Sequence, residues 1–535
     1  MATYGIDLGT TYSCVAYIDD TGRPAIAKNR DGDDTTPSVV YFETPDNVIV
    51  GKVAKRSAKD EPDLVVSLIK RRMGQEVRLG FHGVEHTPES ISALILTELA
   101  TAAGEFTGDE VRDAVITVPA YFGVAEREAT KNAGRIAGLN VLNIVPEPVA
   151  AALHYEVVAG AAERTVLVYD LGGGTFDTTV IRISANEIKV VCTDGDHHLG
   201  GADWDDRIAG HLLEAFLAEH PGSAAGDSEE FMQELTLAAE ELKKELSSAQ
   251  ARRHNMRFEG DVSKVELSRA TFEQITAELL ERTLDITART VATAAEKGVS
   301  SFDEVLLVGG STRMPAVAAS LSERFGFAPR LHDPDLAVAK GAARFALIES
   351  IKLELPETAG APVSMTKVQQ VADQLGISAE AVRELAAKRV AVTTPRAFGV
   401  RVVDSSDPSL KREIIDHVLA ANTELPSART EQFYTVHDNQ TGISVEIWEQ
   451  KGDVASPELA HNAEIGRGVI DRLPPLPRNS PVDITFSMNE TGLLSVHAVE
   501  LKTGKDLQIE LQIEGLSARE VAEARAAVSR YRVGD

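Results

Sequence analysis

Two stretches of this sequence combine an acid, glycine and a hydroxyl in an order that suits phosphate chemistry. The longer is Leu167-Val168-Tyr169-Asp170-Leu171-Gly172-Gly173-Gly174-Thr175-Phe176-Asp177, a Val/Leu-rich run ending in a carboxylate, three glycines and a threonine. Glycine weakens a strand, but it lets the backbone turn sharply and bring its N–H groups against a bulky anion. Alternation resumes from Thr175 to Ile183, which predicts a hairpin with a phosphate-sized notch at its tip. Tyr4-Gly5-Ile6-Asp7-Leu8-Gly9-Thr10-Thr11-Tyr12 repeats the pattern: apolar strand, Asp, Leu, Gly, hydroxyl, second strand. Self-similarity at long separation implies two related lobes, each offering one turn. Facing each other, the two tips would bracket a nucleotide tail and leave Asp7 and Asp170 for a hydrated divalent cation.

Other side chains admit two readings each. Lys70-Arg71-Arg72 is either a solvated helix end or the source of a movable cation for phosphates. Glu147, stiffened by Pro146 and Pro148, either orients a water molecule or favours the start of a helix. Glu240, Lys243, Lys244 and Ser247 fall at i, i+3, i+4 and i+7 on one helix face. That face is a salt-bridged stripe, or a polar wall for a ribose with Lys244 over an aromatic base. Val305 to Pro315 is a third strand-and-glycine unit, with Gly309, Gly310, Ser311 and Arg313 before a helix. Such a helix N-terminus suits an anion or a base edge. His197 and His198 have no third ligand at helical spacing and read as a turn.

These residues need a scaffold, and composition bounds it. A chain of 535 residues with 43% hydrophobic residues should form several domains with proper cores. No apolar run reaches membrane-spanning length, so no membrane partner is expected. The N-terminus leads straight into the first strand, and no signal peptide is expected. Cys14 and Cys192 are far apart and read as reduced thiols of a cytoplasmic protein. A net charge of −28 argues against nucleic-acid binding. Strands and helices alternate as far as about residue 351, whereas Pro395 to about Ile513 reads as short strands with turn signals, an all-β sandwich.

Taken together, the motifs resemble the 70-kDa heat-shock chaperone family, within the larger group that includes actin and the sugar kinases. The resemblance rests on Asp7-Leu8-Gly9-Thr10-Thr11, Asp170 to Asp177, Val118-Pro119-Ala120-Tyr121-Phe122, Glu147-Pro148, His198-Leu199-Gly200-Gly201 and Gly309 to Pro315, in that family's order. It implies a two-lobed actin-like α/β nucleotide-binding domain over 1–351, an interdomain segment over 352–392, a β-sandwich over 393–514 and a short helical lid remnant over 515–535. It also implies ATP or ADP with Mg2+ and potassium ions. Lys70, Glu147 and Thr175 would surround the terminal phosphate, with Asp7 and Asp170 holding magnesium through water. Gly9, Thr10, Thr11, Tyr12, Gly172, Gly173, Gly174, Gly200 and Gly201 would meet the phosphates. Glu240, Lys243, Lys244, Ser247, Gly309, Gly310, Ser311, Arg313 and Asp335 would line the adenosine pocket. Pro119 and Arg127 would relay nucleotide state between domains.

The same resemblance implies a peptide groove lined by Val400, Val403, Phe433, Val436, Ile443 and Val445. Its partners would be extended apolar segments of unfolded proteins, co-chaperones and exchange factors. The sequence departs from the family pattern between Met73 and Pro119, which lie closer together. In place of the apolar linker, Leu355 to Arg389 predicts a helical hairpin turning at Gly376. After the sandwich only one amphipathic helix, Leu516 to Arg532, is expected. The expected function is a slow ATP-hydrolysing chaperone with a lidless sandwich. The alternative is a nucleotide-gated scaffold with little hydrolysis, and a sugar or acetate kinase is a third class.

Overall fold

The computed structural model describes residues 3–159, 162–356, 364–407, 409, 411–451, 455–490, 492–510 and 518–534. Two mixed sheets dominate residues 3–356. The first runs Asn140–Pro146, Asp113–Val118, Tyr4–Asp7, Tyr12–Ile18, Pro24–Ala27. Its Tyr4–Asp7 strand is parallel to Asp113–Val118 and antiparallel to Tyr12–Ile18, with Asp7 opposite Cys14. The second sheet repeats this arrangement. Arg164–Leu171 is parallel to Glu304–Val308 and antiparallel to Phe176–Ile183, with Asp170 opposite Asp177. Each sheet therefore ends a central strand in an aspartate at the base of a hairpin.

Small residues let the two halves close on each other. The helix Ala337–Glu354 packs on the helix Glu147–Ala159 and on strand Tyr4–Asp7. A Cβ on Gly341 would stand 1.7 Å from the Ala150 carbonyl oxygen, and one on Gly5 would stand 2.0 Å from the Ala343 nitrogen. No real Cβ tolerates such distances, so the backbones meet there only because the side chains are absent.

The segment after this helix forms two helices, Met365–Leu375 and Ala379–Ala386. Gly376, at φ 68°, ends the first in the left-handed region. The Ser378 hydroxyl caps the second by accepting the Ala381 N–H at 3.0 Å. Val368, Val371, Ala372, Val382 and Leu385 are buried in the core that also holds Val149, Leu153 and Ile348. The hairpin thus docks on the nucleotide-side lobes. It continues into a short strand, Arg389–Ala391, parallel to the edge of the second sheet at Glu187 to Lys189.

Two four-stranded sheets follow and share one core. One comprises Glu413–Leu419, Phe398–Val403, Ile443–Gln450 and Asn462–Ile470. The other comprises Ser427–Tyr434, Pro481–Met488, Leu494–Glu500 and Asp506–Glu510. The alternation is direct in Pro481–Met488, where Val482, Ile484, Phe486 and Met488 point inward. Of the C-terminal helix expected from Leu516, residues 516 and 517 lie outside the described residues. The described part, Ala518–Val528, packs on the first lobe rather than on the sandwich. Among the described residues no helix is long and apolar enough to cross a membrane.

Candidate functional site

The first turn is fixed by its own hydroxyls. The Ser13 hydroxyl accepts the Gly9 N–H at 3.0 Å, and the Ser38 hydroxyl donates to the Gly9 carbonyl at 2.8 Å. In the second turn Gly172 N–H donates to the Thr175 carbonyl at 3.0 Å, closing a tight loop. The tips of the two turns meet across the cleft. A Cβ on Gly173 would stand 1.9 Å from the Thr11 hydroxyl oxygen, and one on Gly174 would stand 2.3 Å from the Thr10 methyl. Gly200 and Gly201 lie behind the second turn. Gly201 and Ala202 donate their N–H groups to the Gly172 and Gly173 carbonyls at 2.9 and 2.8 Å.

Between the tips opens a cavity of about 780 Å³. It is lined by Asp7, Gly9 to Tyr12, Lys70, Glu147, Asp170, Gly172, Gly173 and Thr175 at one end. At the other end stand Glu240, Lys243, Lys244, Ser247, Gly309 to Ser311, Arg313 and Asp335. Its size matches a site for a nucleotide-sized ligand. Of the nucleotide contacts expected from the sequence, Gly174, Gly200 and Gly201 support the loop instead of facing the cavity.

Lys70 lies in the 3-10 turn Ile69–Arg72, and only 4% of it is exposed. Its ammonium donates to Glu147 at 2.6 Å, and Glu147 opens the helix Glu147–Ala159. Lys70 thus reaches from one element of the first lobe to the mouth of another. Asp7 accepts the Thr117 hydroxyl at 3.0 Å. Burial and the neighbouring Glu147 charge push its carboxyl up to about 7. Burial, with Glu147, Asp177 and Asp7 nearby, pushes Asp170 well above the usual range. Two buried carboxyls with too little positive charge around them are the chemistry a divalent cation would relieve. Among the described residues no cluster of three or more His, Cys, Asp or Glu side chains could hold a metal by itself. Two carboxylates completed by waters and phosphates is how Mg2+ prefers to bind.

The far end is bridged across the lobes. Lys55, from the helix Lys52–Ser57 of the first lobe, pairs with Glu240 on the helix Glu229–Leu246 of the second. Lys244 also bonds Glu240, at 2.6 Å, and both lysines lie over the Tyr12 ring at 4.9 and 4.7 Å. Burial works upward on Glu240, but the two ammonium groups outweigh it and hold the carboxylate down at about 2. Lys243, on the same helix face, turns away from the pocket centre to Asp205 and the Gly201 carbonyl, at 2.7 and 2.6 Å. Arg313 pairs with Asp335, and the Ser311 hydroxyl donates to the Gly172 carbonyl at 2.9 Å. The Lys55 and Glu240 pair ties the two lobes across the cavity, so if a nucleotide occupies it, Glu240→Ala should release that nucleotide about tenfold faster. Stopped-flow chase of a fluorescent nucleotide measures this, and an unchanged off-rate would remove the pair from the gate.

Arg71 and Lys55 were not legible as site residues. Arg71 donates to the Gly174 carbonyl at 2.9 Å and to Asp203 at 2.5 Å, so the first lobe grips the second phosphate turn. Pro119 begins the loop in which the Ala120 and Tyr121 N–H groups both donate to Asp177 at 3.2 Å. Arg127 donates to the Phe122 and Ala120 carbonyls at 2.9 and 3.4 Å, beneath that loop. Of the expected groove residues, Val400 and Val445 are buried in the sandwich core, and Phe433 and Ile443 pack against its edge. Val403 and Val436 are half-buried.

Buried carboxyls set a pH dependence. Burial lifts Asp7 to about 7, Asp177 to about 8 and Glu449 to about 7, so the folded chain holds protons that the unfolded chain has lost. Stability then falls as pH rises from about 4, where the unfolded carboxyls ionise, up to these values. Burial lowers His86 and His154 to about 4, so below pH ~6.5 the unfolded chain binds more protons and stability falls in the other direction. Three carboxyls outweigh two imidazoles, so the melting temperature of the ligand-free protein should fall from pH ~5 to pH ~8, most steeply just above pH ~6.5. A melting temperature that climbs over that interval would contradict the assignment.

The family model described as Hsp70 protein matches residues 3–81, 76–394 and 378–535. The chain belongs to the Hsp70 family. This Hsp70 carries its family's motifs around the cleft just described, from Asp7 at one turn to Asp335 at the far end.

Proposed function

We propose that this Hsp70 is an ATP-hydrolysing, chaperone-type protein whose actin-like domain binds Mg2+ and ATP between the two turns. The observation that carries the reading is the buried Lys70 and Glu147 pair beside the under-neutralised Asp7 and Asp170, at one end of a nucleotide-sized cavity. Hydrolysis of a phosphoanhydride asks a protein mainly for positioning and charge neutralisation. Lys70 supplies a cation that exchanges Glu147 for a phosphate oxygen. Glu147 is then left to accept a hydrogen bond from the attacking water, and Thr175 orients that water from the second turn. Bound magnesium would supply charge neutralisation beside Asp7 and Asp170, and the backbone of Gly9 to Thr11 and of Gly172, Gly173 and Thr175 would hold the phosphates.

The sandwich would take extended apolar peptides by backbone pairing and side-chain pockets. Burial of Val400 and Val445 favours a second reading, a nucleotide-gated scaffold with a closed groove. ATPase rates with and without an extended apolar peptide distinguish the two. Stimulation supports the chaperone reading, and tight ATP binding without stimulation supports the scaffold. Thr175→Ala should lose hydrolysis and keep its affinity for ATP.

A further inference from the structure

The chain is built into a different lobe on each side of the sandwich. On the incoming side, strand Arg389–Ala391 extends the second sheet in register with Glu187 to Lys189. Just before it, Lys388 is buried. Its ammonium donates to Glu156 at 2.6 Å and to the Ser184 and Ala185 carbonyls at 2.8 and 3.1 Å. On the outgoing side, strand Arg532–Val533 pairs in parallel with Asn47 and Val48 at the edge of the first lobe's small sheet. The preceding helix, Ala518–Val528, turns Val521, Ala524 and Val528 into the first lobe's core, and Tyr531 just beyond it joins them. Val528 is buried there, and Tyr531 sets its ring edge-on to Phe42, with centroids 6.1 Å apart, and meets His86 Nε2 through its hydroxyl at 3.1 Å.

The body of the sandwich is fastened as well. Arg396 pairs with Glu126 at 3.0 Å beside Glu449, whose carboxylate accepts the Val124 N–H at 3.4 Å. Asn422 exchanges two hydrogen bonds with the Thr193 backbone at 2.8 and 3.3 Å, and Glu424 pairs with Lys189 at 2.7 Å. A short helix followed by a two-residue strand ordinarily frays unless something ties it down. Here the final turn of helix and strand fills an aromatic pocket and caps a sheet edge.

We propose that residues 518–533 are an intramolecular strap that keeps the sandwich docked across both lobes in every nucleotide state. Any one attachment that opens re-forms against a partner held at high effective concentration by the others, so release requires several to fail together. Nucleotide would then act on the sandwich by shifting one lobe against the other within a docked molecule. Only the nucleotide arms of this inference rest on the adenine-nucleotide reading above.

Hydrogen exchange of the full chain, free and with Mg2+ plus ADP or ATP, tests the strap. Expected is exchange at 389–391 and 532–533 that stays within about threefold across all three states, while 9–11 and 172–175 become protected by nucleotide. Exchange at 389–391 or 532–533 that accelerates about a hundredfold in any state would overturn the strap. Absence of change at 9–11 and 172–175 would count against the nucleotide reading alone. Tyr531→Ala is the second arm. It should speed exchange at 532–533 and make exchange at 389–391 nucleotide-dependent. Loosened 532–533 with unaltered 389–391 in all states would show that the sandwich is held without the strap.

Discussion

Lys70→Ala should lower the single-turnover rate of ATP hydrolysis by about 10²–10³-fold, the usual cost of removing one charged group aimed at a transition state. The expectation follows from position. Lys70 is almost wholly buried in a turn too short to move far, and its ammonium is held at 2.6 Å from Glu147 at the end of the cavity where the two turns meet. A lysine needed only to neutralise Glu147 would give a different pattern, in which Lys70→Ala unsettles the fold and leaves turnover per folded molecule near normal. Rapid-quench hydrolysis, normalised to active sites by ATP titration, separates these outcomes. A normalised rate within about threefold of wild type would make the pair structural.

Lys388→Ala should destabilise the docked hairpin and its strand by about 3–5 kcal/mol, because it leaves Glu156 buried without its cation. Both side chains are less than a tenth exposed, and Lys388 makes three hydrogen bonds. The free energy of opening of amides 389–391, from native-state exchange, reads the effect without assuming that the whole chain unfolds in one step. The paired change Lys388→Met with Glu156→Leu should recover most of the loss, since matched apolar groups replace a buried ion pair at little cost. If the single change costs less than about 1 kcal/mol, water already reaches the pair and the hairpin is anchored by its apolar face.

The chemistry of the cleft was legible because it is local. Each glycine turn states its acid, its glycine or glycines and its hydroxyl within a dozen residues, and helical spacing alone puts Glu240, Lys244 and Ser247 on one face. Contacts made far along the chain were not legible. Lys55 meets Glu240 across 185 positions and Arg71 meets Gly174 across 103; Lys55 has no unusual neighbourhood in sequence, and the run of cations at 70–72 does not say which of them reaches where. Lys243 shows the limit of periodicity. It shares the face with Glu240, yet Asp205 draws its ammonium away from the pocket. The hairpin at 365–386 was legible from its apolar period and its glycine, whereas its docking surface was not. A strand as short as Arg389–Ala391 exists only because the second sheet offers an edge. The amphipathic period of the last helix was equally plain, but period says only that one face is buried, not against what.

The most direct measurement is diffraction from crystals grown with Mg2+ and a slowly hydrolysed ATP analogue. The triphosphate should lie between Gly9 to Thr11 and Gly172 to Thr175, with Lys70 drawn from Glu147 to a phosphate oxygen and Asp7 and Asp170 facing the metal's waters. An empty cleft at saturating nucleotide, or a triphosphate bound elsewhere, would contradict the account.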